Sequence, residues 1–434
     1  MRATPARSVR ATRTVALALL LAACTRDPAP PPTLIHTPAP APTRPQPAVG
    51  SPRLCLQQPI GSEAAVRCWV TWLAAPALAG RAPGSVGGET ARAGIAAVFT
   101  DLSLEPGGDD DTFFQKLPRG ANVLALLPGR HPEREDDVIV VGAHYDHLGE
   151  IGGALHLGAD DNASGVAVLL ELARRLAVRP PDRSVLFAAF DAEEPPAYRT
   201  AAMGSQYWLD HPTIARPRVA AMLAMDLMGG NLWPGARTPL YVMGRETFTA
   251  TGAPDLARAP VSTHAMHLRL VEDLPTGRQA FSDHGAFFAA SIPVLFFSTG
   301  RSPHYHRATD VPEHLDFAKL TAEVEVVEAH VRWLADLPQR PTWSAAQPVT
   351  AADAAAVLHL LVEGSGPGGT AEFGGIAAAA VTRDKARLTP LATGTDALPD
   401  DAARVVIHAS LRAQCLLTPD DELPAAACLA LGPE

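Results

Sequence analysis

Val138-Ile-Val-Val-Gly-Ala-His144-Tyr-Asp146 is an apolar run that ends abruptly in a His-x-Asp pair. An acidic cluster, Gly158-Ala-Asp-Asp161-Asn, follows and opens onto a stretch whose apolar residues recur at helical spacing. Short apolar runs without alternation are typical of strands buried on both faces, as in a parallel sheet. This part of the chain therefore predicts a buried strand, a polar loop and a helix.

The same kind of apolar run occurs five times in the chain. The runs cover residues 122–127, 137–143, 184–190, 219–225 and 293–298. The clearest helix between them is predicted at 163–177, with Asp161 and Asn162 at its start, where side chains cap free backbone donors. Strands that alternate with helices predict an α/β fold, a doubly wound and mostly parallel sheet with helices on both faces.

Residues of metal-ligand type follow the carboxyl ends of these predicted strands. They are His144, the pair Glu193 and Glu194, Asp226 and His306. Ligands of such folds bind beyond the carboxyl ends of the strands, so these side chains are expected to converge in one crevice. Imidazoles and carboxylates suit zinc. Asp146 is placed to orient His144, because a ligating imidazole needs a partner for its second nitrogen. The pattern predicts a metal-dependent hydrolase.

The amino-terminal segment has the features of an export signal. Four Arg residues precede the apolar run 15–21, and Leu21-Ala-Ala-Cys24 follows. That last motif resembles the bacterial lipobox, which implies cleavage after residue 23 and lipidation of Cys24; a plain cleaved signal is the alternative. Residues 24–54 are predicted to be a Pro-rich linker. We therefore expect an exported protein of the bacterial cell envelope, lipid-anchored to a membrane.

The charge of the chain and its cysteine content give two further expectations, one about binding partners and one about disulfides. The net charge is −10, and removing residues 1–23, which hold four Arg and no acidic residue, makes it −14. An acidic chain without basic clusters is a poor candidate for nucleic-acid binding. Four cysteines besides Cys24 predict disulfides in an exported protein. The local pairings Cys55–Cys68 and Cys415–Cys428 have the shorter loops, and a four-Cys zinc site is the weaker alternative.

The length of 434 residues predicts more than one domain. Residues 55–340 contain all the chemical motifs and are predicted to form the catalytic domain. Residues 341–434 are predicted to form a small accessory domain, in which Thr350-Ala-Ala-Asp353 opens a helix with a capping-box pattern.

Over residues 60–338 the chain resembles the M28 family of zinc aminopeptidases. The resemblance begins at Trp72-Leu-Ala-Ala-Pro-Ala-Leu-Ala-Gly-Arg81 and continues through the five ligand motifs in the family's order. It implies two zinc ions with a hydroxide between them, and removal of N-terminal residues from peptides. It also implies roles for individual residues: Asp161 bridges the metals, His144 and Asp226 complete one position, Glu194 and His306 complete the other, and Glu193 is the general base.

Several neighbouring residues keep alternatives open. His147 and His304 lie within three residues of the proposed ligands and could replace them; His306 is preferred because His306-Arg-Ala-Thr-Asp310 matches the family's His-x-x-x-Asp pattern, with Asp310 as its orienter. His284 is predicted to contact the substrate or the oxyanion, and a surface histidine or one whose hydrogen bonds are satisfied is the alternative. The segment Pro195–Met203 replaces the family's short turn and is predicted to form one wall of the substrate pocket, with Tyr198 or Arg199 close to the substrate; an outward surface loop is the alternative.

Two further functions are compatible with this fold. One is a glutaminyl cyclase-like acyltransferase with a single zinc, against which His144 argues. The other is a binding module without catalysis, which would lack one or more ligands, whereas all five are present here.

Overall fold

The computed structural model describes residues 50–233, 237–274, 277–278, 282–344, 348–365 and 375–417. All five apolar runs are strands. The strands are Glu105–Pro106 (β1), Phe114–Lys116 (β2), Ala121–Leu127 (β3), Val138–His144 (β4), Gly149–Ile151 (β5), Ala154–His156 (β6), Ser184–Phe190 (β7), Val219–Met225 (β8), Leu240–Met243 (β9), Thr263–Met266 (β10), Asp273–Leu274 (β11), Gly277–Arg278 (β12) and Val294–Ser298 (β13).

The helices connect these strands or follow them. They are Arg53–Leu56 (α1), Glu63–Leu73 (α2), Val86–Asp101 (α3), Gly165–Val178 (α4), Gly204–Asp210 (α5), Arg269–Glu272 (α6), His284–Ala289 (α7), Phe317–Asp336 (α8), Ala351–Gly364 (α9), Gly375–Leu388 (α10) and Asp400–Leu417 (α11). Short 3₁₀ segments lie at Pro76–Arg81, Asp109–Asp111, Arg216–Arg218, Arg245–Thr247, Leu256–Arg258 and Pro312–His314, and a π-helical turn at Ala159–Ser164.

The main sheet has the order β1-β3-β7-β4-β8-β13-β9-β10, with β2 also paired to β3. Its centre, β7-β4-β8-β13, is parallel, as the apolar runs predict. The flanks differ from the prediction of a mostly parallel sheet, because β3 is antiparallel to β7 and β9 is antiparallel to β13. The run 122–127 is as apolar as the central strands because it is also buried on both faces. Its composition therefore does not indicate whether the strand runs parallel or antiparallel to its neighbour.

Helices cover both faces of the sheet, and alternate residues of each strand supply the two cores. On β7, for example, Phe187 belongs to the buried cluster that includes α2, α3, α4 and α8, whereas Phe190 belongs to the cluster on the opposite face. The predicted α/β class with helices on both faces is thus confirmed. Full burial of one such side chain contributes about 1.5–3 kcal/mol relative to exposure.

The helix α4 carries the loop of Asp161 at its start. Asn162 Oδ1 accepts the N–H of Gly165 at 3.0 Å, which caps the helix as predicted, and Asn162 Nδ2 donates to Met225 O at 2.9 Å. One side chain therefore fixes the loop before α4 to the end of β8.

The carboxyl-terminal helices share the core of one face of the sheet. Val357 of α9 and Val406 of α11 lie in the same buried cluster as Phe190, and residues 47–434 form one compact unit. The predicted capping box of α9 is present, since Thr350 and Asp353 exchange side chain-to-backbone bonds. The domain boundary at residue 341 stays a prediction.

The structure contains the disulfide Cys55–Cys68, which joins α1 to α2, so the prediction of disulfides is confirmed. Cys415 and Cys428 lie outside the described side chains. Among the residues that the structure describes, no helix combines the length and the hydropathy that crossing a membrane requires.

Candidate metal centre

The predicted ligands meet at one edge of the sheet. His144 is the last residue of β4, Asp226 follows β8 directly, and Glu193 and Glu194 follow the end of β7. Since these three strands are parallel neighbours, their carboxyl ends lie side by side. The topology therefore gathers ligands that are far apart in sequence.

The first group of potential metal ligands is His144, Asp161 and Asp226. His144 Nε2 lies 3.4 Å from Asp161 Oδ1 and 3.4 Å from Asp226 Oδ1, and all three side chains are buried. Ligands about 2.0–2.1 Å from a tetrahedral zinc ion stand roughly 3.3 Å from one another. The spacing thus fits a zinc ion.

The second group uses the other oxygen of the same carboxylate. His306 Nε2 lies 3.2 Å from Asp161 Oδ2 and 3.3 Å from Glu194 Oε2, which is again the tetrahedral spacing. Asp161 Oδ2 is buried and accepts no hydrogen bond from any described residue, a situation that a bound cation relieves. Asp161 is therefore placed to be shared between two metal positions.

His147 also reaches this second group, as the alternative set of His147, Asp161 and Glu194. Its Nδ1 is 2.9 Å from Glu194 Oε1 but 3.8 Å from Asp161 Oδ2. The shorter distance is that of a hydrogen bond and not of two ligands on one ion. Burial lowers the pKa of His147 to about 3, so a neutral ring donates Nδ1–H to Glu194. The geometry favours His306 as the ligand and His147 as the residue that orients Glu194.

His304, the other alternative, points elsewhere. Its Nδ1 lies 3.0 Å from Thr309 Oγ1, and its ring stacks on that of His314 with 3.8 Å between the centroids.

Glu193 lies beside the first group without joining it. Its Oε2 is 3.9 Å from His144 Nε2, farther than either neighbouring carboxylate in the ligand set. Burial raises the pKa of Glu193 well above its usual range; His144 opposes this, and the nearby carboxylates Glu194 and Asp226 add to it. A carboxylate that binds a proton readily and lies next to the candidate metal ligands is suited to proton transfer.

The metal position attracts positive charge even without an ion. Burial disfavours the charged form of His144, but Glu193 and Asp226 outweigh burial and raise the pKa of its imidazole well above its ordinary value. The same carboxylates would stabilise a divalent cation.

Three acidic residues hold the backbone of the ligand loops, and we call them the clamping carboxylates: Asp146, Asp160 and Asp310. Asp146 Oδ1 and Oδ2 accept the N–H groups of Glu193 and Glu194, each at 3.1 Å. His144 Nδ1 instead bonds to the carbonyl oxygen of Asp146, at 3.2 Å, with the carboxylate at 3.6 Å. The predicted orientation of His144 by Asp146 therefore operates through the main chain.

Asp310 and Asp160 act in the same way on other loops. The Asp310 carboxylate accepts the N–H groups of Asp160 and Asp161 at 2.8 and 3.0 Å, so it holds the shared ligand and does not orient His306 as predicted. Asp160 Oδ1 accepts the N–H groups of Gly229 and Gly230 at 2.9 and 2.8 Å, in the loop after Asp226.

The segment Pro195–Met203 begins at the site. The N–H groups of Ala197 and Tyr198 donate to Glu194 O at 3.1 and 3.3 Å. Burial, with Glu193 and Asp226 adding to it, raises the pKa of Tyr198 to about 12, so the phenol lies within electrostatic reach of the proposed base. The Arg199 guanidinium stands 5.0 Å from the centre of the Tyr198 ring. Their role in the substrate pocket stays a prediction.

His284 is the first residue of α7 and is fully buried, with its ring stacked on Phe296 at 4.2 Å between centroids. Its contact with substrate stays a prediction.

The sequence interpretation missed Tyr305. Its ring stacks on His306 with 3.8 Å between centroids, and Arg301 lies 4.7 Å from the ring centre. Burial raises the pKa of Tyr305 well above its ordinary value; Arg301 opposes this, and Asp161 and Glu194 add to it. The only signal in the sequence is its position next to the ligand His306.

Comparisons with known proteins agree with this geometry. Residues 122–331 match the model of peptidase family M28. The chain is 30% identical to aminopeptidase YwaD of Bacillus subtilis (strain 168) over 209 residues, 46% of this chain and 41% of that protein. It is also 30% identical to the uncharacterized protein YfbL of Escherichia coli (strain K12) over 216 residues, 44% of this chain and 65% of that protein. The matches thus span less than two thirds of either relative.

A crystal structure of the LapA aminopeptidase from Legionella pneumophila is similar in fold. The TM-score is 0.51 at 20% identity, and the match covers 66% of this chain and 74% of LapA.

Proposed function

We propose that the chain is a member of peptidase family M28, whose model matches residues 122–331, and that it is an aminopeptidase with a two-zinc centre that removes N-terminal residues from peptides. The observation that carries the proposal is the shared carboxylate. His144 lies at the spacing of zinc ligands from Asp161 Oδ1 and from Asp226, and His306 lies at that spacing from Asp161 Oδ2 and from Glu194.

The donor set fits zinc and not a thiolate-preferring metal, because it consists of two imidazoles and three carboxylates. When bound, a pair of zinc ions would polarise the scissile carbonyl and lower the pKa of a water molecule between them. The metal ions would be held by Asp161, His144, Asp226, Glu194 and His306.

Glu193 supplies the proton transfer. Its carboxylate removes a proton from the attacking water as the oxygen adds to the carbonyl carbon of the substrate. The same carboxyl then gives the proton to the leaving nitrogen as the carbon–nitrogen bond breaks. Its position beside the ligand set, with Oε2 3.9 Å from His144 Nε2, suits both halves of this transfer.

Tyr305 stays protonated, because its pKa is raised. Its hydroxyl is therefore a donor and is suited to stabilise the oxygen anion that forms at the substrate carbonyl.

The test is a panel of aminoacyl-anilides and short peptides, assayed with and without a chelator, alongside zinc analysis of the purified protein. We expect two zinc ions per chain and chelator-sensitive release of N-terminal residues. Glu193→Gln should keep both zinc ions yet lose about 10²–10⁴-fold in kcat. Near-normal turnover by a zinc-replete Glu193→Gln protein would remove Glu193 from the mechanism. One zinc with cyclase activity, or no zinc at all, would favour the two alternative functions.

We also propose that the protein is exported and anchored through a lipid on Cys24, which the motif Leu21-Ala-Ala-Cys24 supports. Cys24→Ser should release the protein from membranes without changing kcat. A Cys24→Ser protein that stays in the membrane fraction would require another anchor.

A further inference from the structure

Arg81 is a fully buried arginine whose hydrogen bonds go to main-chain carbonyls. It donates to Leu73 O at 2.6 Å, to Tyr145 O and Leu157 O at 2.7 Å each, and to Gly158 O at 2.9 Å. Tyr145 lies between His144 and Asp146, and Gly158 lies three residues before Asp161. One guanidinium therefore joins the end of α2 to two of the three ligand loops of the first metal position, those of His144 and Asp161.

The backbone at residues 79–81 is strained. Ala79, Gly80 and Arg81 have φ values of 46°, 70° and 55° in succession, a region that residues other than glycine rarely adopt. Gly80 cannot be replaced easily, because a Cβ atom there would lie 2.2 Å from His156 O. Strain of this kind persists only where the surroundings fix it, and it is concentrated at functional sites.

The charge of Arg81 has no close acidic partner. Among the described residues, no carboxylate oxygen lies within ion-pair distance of its guanidinium nitrogens. Burial lowers the pKa of Arg81 to about 10, and the charges that oppose this effect are Asp310, Asp146, Asp161 and Glu194. The Arg81 guanidinium therefore interacts with the carboxylates around the metal centre at distances longer than that of an ion pair.

We propose that Arg81 is a positioning residue that sets the zinc affinity of the centre by fixing the two ligand loops relative to each other. The proposal rests on the two-zinc function. Geometry and charge act here in opposite directions: the four carbonyl bonds preorganise the ligands, whereas a positive charge near the centre repels zinc. The sign of the change in zinc affinity upon substitution therefore separates positioning from electrostatics.

Arg183 provides a control that is matched in burial and in its bonds to main-chain carbonyls, and it differs in also pairing with Asp137 Oδ2 at 3.2 Å. It is equally buried and donates to Leu334 O, Ala335 O and Leu337 O at 3.3, 3.2 and 2.6 Å. It precedes β7, at the end of the sheet away from the metal centre. Loss of either arginine should lower stability, but only Arg81 joins ligand loops.

The experiment compares Arg81→Met, Arg81→Lys and Arg183→Met in the full chain. Zinc affinity is measured by competition with a chromophoric chelator, and folding by urea denaturation of the metal-free protein. We expect Arg81→Met to bind zinc at least 10-fold more weakly, as is usual when a group that orients ligands is lost. Arg81→Lys keeps the charge but cannot make the planar fork, so its affinity should also fall. Arg183→Met should keep the zinc affinity within about twofold while unfolding at lower urea.

Zinc binding by Arg81→Met that is unchanged or tighter would overturn the proposal, since only the charge would then matter. Full affinity in Arg81→Lys would overturn it too, and that variant decides the question if Arg81→Met does not fold. A wild-type protein that binds no zinc would refute the proposed function itself, which is a separate result.

Discussion

Asp146→Asn distinguishes the structural role of this residue from the one its sequence position predicts. The sequence predicts that the Asp146 carboxylate orients His144, so that its loss should empty the first metal position. In the structure the carboxylate holds the N–H groups of Glu193 and Glu194, and the contact to His144 comes from the main-chain carbonyl. The substitution leaves that carbonyl in place, so the damage should fall on the second position.

The expected size follows from the two bonds of 3.1 Å. An asparagine offers one oxygen and one NH₂ group, so one N–H keeps an acceptor and the other faces a donor. The loss of a charge-assisted bond costs about 1.5–3 kcal/mol, and a buried unsatisfied N–H about 1–3 kcal/mol more. If roughly half of this total falls on the ligand Glu194, zinc binding at the second position weakens about 10–100-fold.

The assay is zinc retention against increasing chelator, with His144→Ala and His306→Ala as references for loss at the first and second positions. We expect the zinc retention of Asp146→Asn to resemble that of His306→Ala. Both variants should keep one zinc ion at chelator concentrations that leave the first position occupied. Asp146→Asn should also lower kcat, because Glu193 shares the displaced loop. If Asp146→Asn instead loses zinc as His144→Ala does, the Asp146 carboxylate acts mainly on His144 and not on the loop of Glu194.

Three other predictions follow from the same geometry. Asp161→Asn should weaken both metal positions together and His144→Ala mainly one; equal zinc content in the two variants would contradict the shared carboxylate. Alanine at both Tyr198 and Arg199 should change the order of kcat/KM across the peptide panel at full zinc content; an unchanged order would place this segment outside the pocket. Burial raises the pKa of Glu323 from 4.5 to about 8, so its stabilising effect is present below pH 4.5 and is lost as the pH rises through 8. The contribution of Glu323 to the free energy of unfolding should therefore fall over this range by at most roughly 5 kcal/mol, and the total fall should be smaller in Glu323→Gln than in the wild type.

The sequence predicts which candidate ligands come together, because strand ends are a strong constraint. Each apolar run fixes a strand, parallel neighbours share an edge, and the polar residue after each run must then lie at that edge. His144, Asp226 and the Glu193–Glu194 pair reach the site in this way. The preference for His306 over His304 agrees with the geometry, since His304 turns to Thr309.

The partners of the clamping carboxylates could not be predicted in the same way. The N–H groups that Asp310 holds lie about 150 residues away in the chain, and those of Asp146 lie 47 and 48 residues away. Almost every residue has a backbone N–H group, so the sequence does not indicate which of these groups a carboxylate will bind. An acidic residue next to a ligand therefore suggests a side-chain partner for that ligand, as it did for Asp146 and for Asp310.

The clamping carboxylates connect the ligand loops in two groups: Asp310 and Asp160 join the loops of His306, Asp161 and Asp226 in series, and Asp146 joins the loops of His144 and Glu194. Asp146, beside His144, holds the loop of Glu194; Asp160, beside Asp161, holds the loop after Asp226; and Asp310, in the loop of His306, holds the loop of Asp161. Each loop that supplies an imidazole or the shared carboxylate thus fixes another loop that supplies a carboxylate. A disturbance at one ligand reaches the next through a buried, charge-assisted bond instead of being absorbed by solvent. Substitutions at Asp160 and Asp310 should therefore be non-additive in zinc affinity, because Asp160 acts from a loop that the loss of Asp310 has already released.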